Sequence, residues 1–377
     1  MNVREIRSGR AAAIGLGLLL GLAFTSAASA QSAEATVLRS QKAAGQVKSA
    51  WTPERLRAAR PLPVPAMAFD QSADPGNAMD ASGTGSGRSV SVPGQLPRPG
   101  IHPLRSNHLF DPTPFAGASI QGTSGRANGS TGAQFTSQHL IPVEADLEYP
   151  YSTVGVLFFH VPGEGDFYCS GAVLRHRIVI TAGQCIHQGS GGSNGFFEDF
   201  AFAPAYRNGD APYGLWEWSY VVVPTTWTQG NGKLPNAADY GFIEMDDQEF
   251  DGDLLRIGDV TGTLGYVTKK LRPNHATMLA YPSNFDGGNR MHQVAAKDFK
   301  TTSASTNTVE YGSDMRGGSQ GGPLIQDFGD NVQTLRLIGV LSYYPTSSSV
   351  KTEGASIPDT RFTSALTTVC NNRPGNC

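Results

Sequence analysis

The sequence predicts an all-β domain, a sandwich or barrel of many short strands, preceded by a long segment of different character. Three observations carry this. The 377 residues include 45 Gly and 24 Pro, too many for a coiled coil or a helix bundle. Short runs rich in β-branched and aromatic residues recur from about residue 140, each bounded by Gly, Asn, Asp, Ser or Pro. Within that region only one stretch, 361–369, carries a helical pattern, and it lies near the end.

In chain order, residues 1–30 read as a secretory signal peptide. Arg4, Arg7 and Arg10 form a basic start, 11–24 is an uncharged apolar run, and Ala28-Ser29-Ala30 is a small-x-small cleavage site. The alternative is an uncleaved anchor, because the uncharged run continues to Ala33. No later stretch is apolar for long enough to span a bilayer. The mature chain is expected to be secreted or periplasmic in a bacterium, without stable membrane insertion, in a compartment where disulfides persist.

Residues 31–140 hold 11 of the 24 prolines. Runs such as Arg60-Pro61-Leu62-Pro63-Val64-Pro65 and Ser82-Gly83-Thr84-Gly85-Ser86-Gly87 have no apolar period. They bury too little surface to offset chain entropy, which predicts a disordered pro-segment or linker with a short helix near 53–59. Charge also separates this stretch: ten Lys/Arg against six Asp/Glu here, sixteen against twenty-five in 141–377. A basic tail on an acidic domain either lies across it as a pro-segment does or is a solvated spacer. The formal net charge of −3 gives no footprint for nucleic acid.

Within 141–377 the expected strands are 153–160, 167–174, 177–181, 218–223, 240–245, 276–281, 307–311 and 335–342. No internal repeat is present. His108, His139, His160 and His292 lack metal-ligand spacing, and the glycines of 189–195 lack the strand and helix that a dinucleotide loop needs. No metal and no cofactor is expected.

Three motifs follow one another in this domain. The first is Cys169-Ser170-Gly171-Ala172-Val173-Leu174 with Ile178-Val179-Ile180-Thr181-Ala182-Gly183-Gln184-Cys185. The second is Asp239-Tyr240-Gly241-Phe242-Ile243-Glu244, and the third Asp314-Met315-Arg316-Gly317-Gly318-Ser319-Gln320-Gly321-Gly322-Pro323-Leu324. Together they resemble the chymotrypsin/trypsin-like serine peptidases. Tyr149-Pro150-Tyr151, Asp239-Tyr240-Gly241 and Ala280-Tyr281-Pro282 resemble the bacterial glutamyl-endopeptidase branch of that family. The resemblance covers about 140–377. It implies two orthogonal six-stranded antiparallel β-barrels with a C-terminal helix, the site at their junction, a monomer, and a polypeptide substrate or ligand. It also implies a Cys169–Cys185 bridge closing the loop around the base, and Cys370–Cys377 is expected to close 371–376 after the terminal helix.

The family's catalytic His precedes the second Cys of the first motif, where this chain has Gln184. Its Asp matches Asp239. Its nucleophilic Ser precedes Gly-(Gly/Ser)-Pro, where this chain has Gln320. Peptide hydrolysis of this kind needs a hydroxyl activated by a base that can become a cation. A Gln amide does not titrate in water and has no competent attacking atom. Ser319, one residue early, and His187, three residues past Gln184, offer a shifted site with Asp239; otherwise they are a turn residue and a surface residue. Gly318 and the amide of Gln320 stand where the resemblance puts the oxyanion hole, with glycines that also suit an ordinary turn.

Substrate-pocket signals conflict. Asp314 lies six residues before Gln320, the pocket-base position of trypsin, yet the glutamyl branch has an acidic residue there without preferring Lys or Arg. The strand Gly339-Val340-Leu341-Ser342-Tyr343-Tyr344 resembles the family's substrate-pairing strand. Glu-specific members carry His about where Leu341 falls, and Tyr344 stands where many have Gly; both tyrosines also suit plain strand packing. Three functions are therefore open: a pseudopeptidase that binds polypeptide, a serine endopeptidase working through Ser319 and His187, and a structural or adhesive module.

Overall fold

The computed structural model describes residues 34–64, 89–104, 133–268, 275–301, 307–329, 331–345 and 351–377. Residues 1–30, expected to be a signal peptide, and the Ser82–Gly87 run lie outside the described residues. Six strands close a first barrel: β1 (Val154–Val161), β2 (Gly165–Arg175), β3 (Ile178–Thr181), β4 (Glu198–Pro204), β5 (Trp216–Pro224) and β6 (Gly241–Met245). Their order is β4-β1-β2-β3-β6-β5, and β5 pairs back to β4 through Ala201↔Glu217 and Phe202↔Trp216. Six more close a second barrel: β7 (His275–Ala280), β8 (His292–Thr301), β9 (Thr308–Gly312), β10 (Pro323–Gln326), β11 (Arg336–Tyr343) and β12 (Thr352–Ser356). Their order is β10-β7-β8-β9-β12-β11, closed by β10 on β11. All twelve pairings are antiparallel, as the resemblance implies.

Local chemistry sets these elements. Pro162-Gly163 between β1 and β2 is a proline followed by a glycine at φ 80°, and Glu164 N donates to Val161 O at 3.0 Å. That is the demand of a type II turn. Large rings are buried on both faces of the first barrel's sheet: Phe159 stacks on Phe197 at 5.4 Å and meets Phe200, whereas Phe158 packs against Trp51 and Phe242 against Phe362. The second barrel is filled by smaller groups, including Met278, Val294, Leu324, Ile338 and Leu341. The helix Thr360–Asn372 buries Phe362, Ala365, Leu366 and Val369, one stripe at helical spacing. Asp359 caps it, accepting from the Arg361 and Phe362 amides. Both expected disulfides are present, Cys169–Cys185 and Cys370–Cys377.

The expectation of a structureless segment fails for 34–64, 89–104 and 133–140. Ala35–Arg39 adds to β5 antiparallel, Phe135–His139 adds to β8, and Ser91–Val92 pairs with Tyr266–Val267. Two short helices, Gln46–Ala50 and Pro53–Ala58, sit between. Val47, Trp51 and Leu56 are buried, and Trp51 Nε1 donates to Asp199 O at 2.8 Å. Arg55 holds Asp166 with two bonds, 2.6 and 2.7 Å, and Lys42 pairs with Asp199. The segment has no core of its own. Among the described residues its apolar anchors pack on the domain, and Lys42, Arg55 and Arg98 pair with the domain's carboxylates, which is why composition alone misreads it.

Candidate active-site cleft

β3 runs into a single 3-10 turn, Gly183–Cys185, whose last residue is tied by its disulfide to β2. This turn presents Gln184 to Asp239, which stands just before β6. Asp239 is fully buried. Its Oδ1 accepts the Gln184 amide at 2.8 Å. Its Oδ2 accepts Gln184 Nε2 at 2.6 Å and the Ser342 hydroxyl at 2.5 Å. Gln184 Nε2 also donates to Ser342 O at 2.7 Å, so both its hydrogens are spent. Gln184 Oε1 is buried without a hydrogen-bond partner. Burial raises the Asp239 carboxyl to about 6, against the bonds from Ser342 and Gln184 that lower it. The arrangement is a carboxylate orienting a side chain, but that side chain cannot carry a proton.

The second half of the site is the turn into β10. Gly318 and Gly321 have φ of 96° and 86°. A β-carbon at Gly318 would lie 2.5 Å from Tyr281 O, and one at Gly321 would lie 2.1 Å from Thr181 Oγ1. Only glycine fits either position. Ser170, on β2, braces the turn: its hydroxyl donates to Gly318 O at 2.8 Å and accepts from Tyr281 N at 2.9 Å. Its amide donates to Gln320 O at 2.8 Å. Gln320 is wholly buried, and its Oε1 accepts the Gly318 amide at 2.7 Å. The backbone donor expected to face an oxyanion thus faces this side chain instead. Gln320 Nε2 donates to Leu62 O at 3.1 Å, from the N-terminal segment.

The shifted alternative is not assembled. Ser319 is buried, and its hydroxyl donates to Glu353 rather than facing Asp239. Ser313 donates to the same carboxyl at 3.0 Å. Glu353 is a buried carboxyl the sequence reading did not single out; burial raises it to about 7. Its one signal was an acidic residue in a run of small ones, Thr352-Glu353-Gly354-Ala355-Ser356. His187 is buried, not a surface residue. Its Nε2 reaches Gly192 O at 2.6 Å and its Nδ1 accepts from Gly189 N at 2.9 Å, so neither nitrogen is available as a base.

Of the four residues expected along the substrate-pairing strand, three turn inward. Leu341 belongs to the second barrel's core, Ser342 is bonded to Asp239, and the buried Tyr343 hydroxyl reaches Glu310 at 3.3 Å. Tyr344 alone stands at the rim, with the Arg316 guanidinium 5.4 Å from its ring. Asp314 is half-buried, with Oδ1 lacking a hydrogen-bond partner, and its charge helps keep Glu353 raised. A separate Ser–His contact, Ser137 Oγ to His292 Nε2 at 2.6 Å, lies outside the cleft. Burial holds His292 down at about 3, and the nearby Asp286 is taken by His139, so no carboxylate orients this pair. Among the described residues no group of three or more His, Cys, Asp or Glu could hold a metal ion, and no helix is long and apolar enough to cross a membrane.

Two curated relatives are similar in sequence. A glutamyl endopeptidase of Bacillus licheniformis is 29% identical over 161 residues, 42% of this chain and 45% of its own length. An extracellular metalloprotease of Bacillus subtilis is 23% identical over 196 residues, 51% of this chain and 57% of its own length. The chain thus spans about half the length of the curated relatives it matches. Among solved structures, protease Anisep from Arthrobacter nicotinovorans superposes with a TM-score of 0.51 at 27% identity, over 63% of this chain and 100% of that one. The thermostable serine protease AL20 from an extremophilic microorganism gives 0.50 at 23% identity, over 59% of this chain and 98% of its own, a likeness of fold alone. No protein-family model matches the chain.

Proposed function

This chain belongs to the chymotrypsin/trypsin-like serine peptidase family, and we propose that it is an exported member that binds polypeptide in the cleft between its barrels without hydrolysing it by a serine mechanism. One observation carries the reading: the two side chains at the family's base and nucleophile positions are carboxamides held by hydrogen bonds to other protein groups. Gln184 spends both amide hydrogens on Asp239 and Ser342 O, and Gln320 spends its oxygen on the Gly318 amide. Neither can accept and return a proton during acyl transfer. Loss of base and nucleophile acts as the loss of one unit, so what remains of the site binds but does not turn over. Two disulfides support an oxidising compartment.

The test is to titrate the purified protein with a mixture of extended, casein-derived peptides and follow both retention and cleavage. The reading expects peptides to be retained and recovered at their original mass. Steady release of shorter products, abolished by a serine-directed inhibitor, overturns it. The Ser319–His187 alternative is disfavoured by the partners those side chains already hold.

A further inference from the structure

Gln320 has a second occupation that the peptidase resemblance does not explain. After the helix Pro53–Ala58, residues Arg60 and Pro61 add to the edge of β2 as a short parallel strand, in register with Phe167 and Tyr168. Leu62 N donates to Tyr168 O at 3.1 Å, extending that pairing by one bond. The Arg60 guanidinium lies 4.7 Å over the Phe167 ring and donates to Glu164 O at 2.9 Å. Pro61 lies over the glycine turn: a β-carbon at Gly317 would stand 3.4 Å from Pro61 Cβ and 3.4 Å from the Tyr344 hydroxyl. The carbonyl of Leu62 then receives Gln320 Nε2. Backbone pairing to a sheet edge, with side chains held alongside, is the way an extended peptide is recognised.

We propose that Arg60–Leu62 is the resident ligand of the cleft and that Gln320 is its clasp, a fixed carboxamide that holds a backbone carbonyl where a hydroxyl would have attacked one. This rests on the reading that the cleft binds polypeptide, and it names the kind of segment bound: extended, with a basic residue, a proline and an aliphatic residue in sequence. Gln320 suits the role because Gly318 N fixes its oxygen and so aims its nitrogen at the carbonyl. The resident is delivered by upstream anchors, the strand Ala35–Arg39, the buried Trp51 and the Arg55–Asp166 pair. Such tethering gives it a high effective concentration, so a foreign peptide of the same form competes poorly until the resident is displaced.

Two measurements on the full chain test this. Hydrogen exchange at the Leu62 amide should be slow in the parent and rise about tenfold or more in Gln320→Ala, provided the melting curve shows the barrels intact. Unchanged exchange overturns the clasp. A fluorescent peptide of residues 57–64 should bind the parent weakly and an Arg60→Glu/Leu62→Asp variant about tenfold or more tightly, with the gain lost when Gln320→Ala is added. Equal binding to parent and displaced variant overturns the resident-ligand proposal. Exchange that responds to Gln320→Ala, with no peptide bound by any variant, keeps the clasp and overturns the reading that the cleft takes foreign polypeptide.

Discussion

At the scale of single residues, two buried carboxyls are held in different ways. Asp239 is surrounded by donors, the Gln184 amide, Gln184 Nε2 and the Ser342 hydroxyl. Gln184→Ala strips one donor from Asp239 and one from Ser342 O. Leaving such groups unpaired costs about 1–3 kcal/mol. A chemical-denaturation series should show that loss, and Gln184→His should recover most of it, because an imidazole can donate to the same carboxylate. Glu353 is raised to about 7 mainly by burial, with Asp314 raising it and Arg316, Ser313 and Ser319 lowering it. A carboxyl that binds its proton more tightly when folded contributes stability that is full below its unfolded value, near 4.5, and is lost as pH rises through about 7. Relative to Glu353→Gln, the parent should therefore lose roughly 2–3 kcal/mol of stability between pH 4 and pH 8. Urea unfolding at the two pH values measures this; a parent that gains on the variant as pH rises contradicts the assignment.

At the scale of elements, the strands that were legible are those with β-branched or aromatic runs between turn residues, such as Val154–Val161, Gly241–Met245 and Arg336–Tyr343. Glu198–Pro204, His292–Thr301, Pro323–Gln326 and Thr352–Ser356 were not. Each is short, charged or rich in small residues, and each is a strand because partners on both sides complete its ladder, information absent from local pattern. In the N-terminal segment the helix expected near 53–59 is present as Pro53–Ala58, but the strand and the burial around it were missed for the same reason: Ala35–Arg39 is a strand by pairing with β5, and Trp51 is buried against Phe158 with its indole on Asp199 O. Trp51→Ala should remove a buried ring and an indole hydrogen bond, a loss of about 3–5 kcal/mol if the segment unfolds together with the barrel. If the segment instead comes away by itself, trypsin will cut at Arg55 and Arg57 while the melting temperature of the barrels stays put. Tryptic mapping beside calorimetry separates the two, and the account predicts faster cutting at these sites in either case; cutting at the parent rate contradicts it.

At the scale of the molecule, the motif order was enough to anticipate two barrels. It did not anticipate that the basic segment would be satisfied by the acidic domain through Lys42–Asp199 and Arg55–Asp166 and would end on Gln320. The charge asymmetry between the two halves was the available signal, and it fixed no contact. On the proposed reading, the residues at the family's base and nucleophile positions hold hydrogen bonds instead of transferring protons. Both must be restored together, since nucleophile and base act as a unit.

The most direct measurement is labelling by a fluorophosphonate, which reports an activated hydroxyl without requiring knowledge of the substrate. The parent chain should remain unlabelled, and so should Gln184→His and Gln320→Ser singly, within the background rate. The double variant, which also releases Leu62, should be labelled at residue 320. Labelling of the parent at Ser319 would contradict the account.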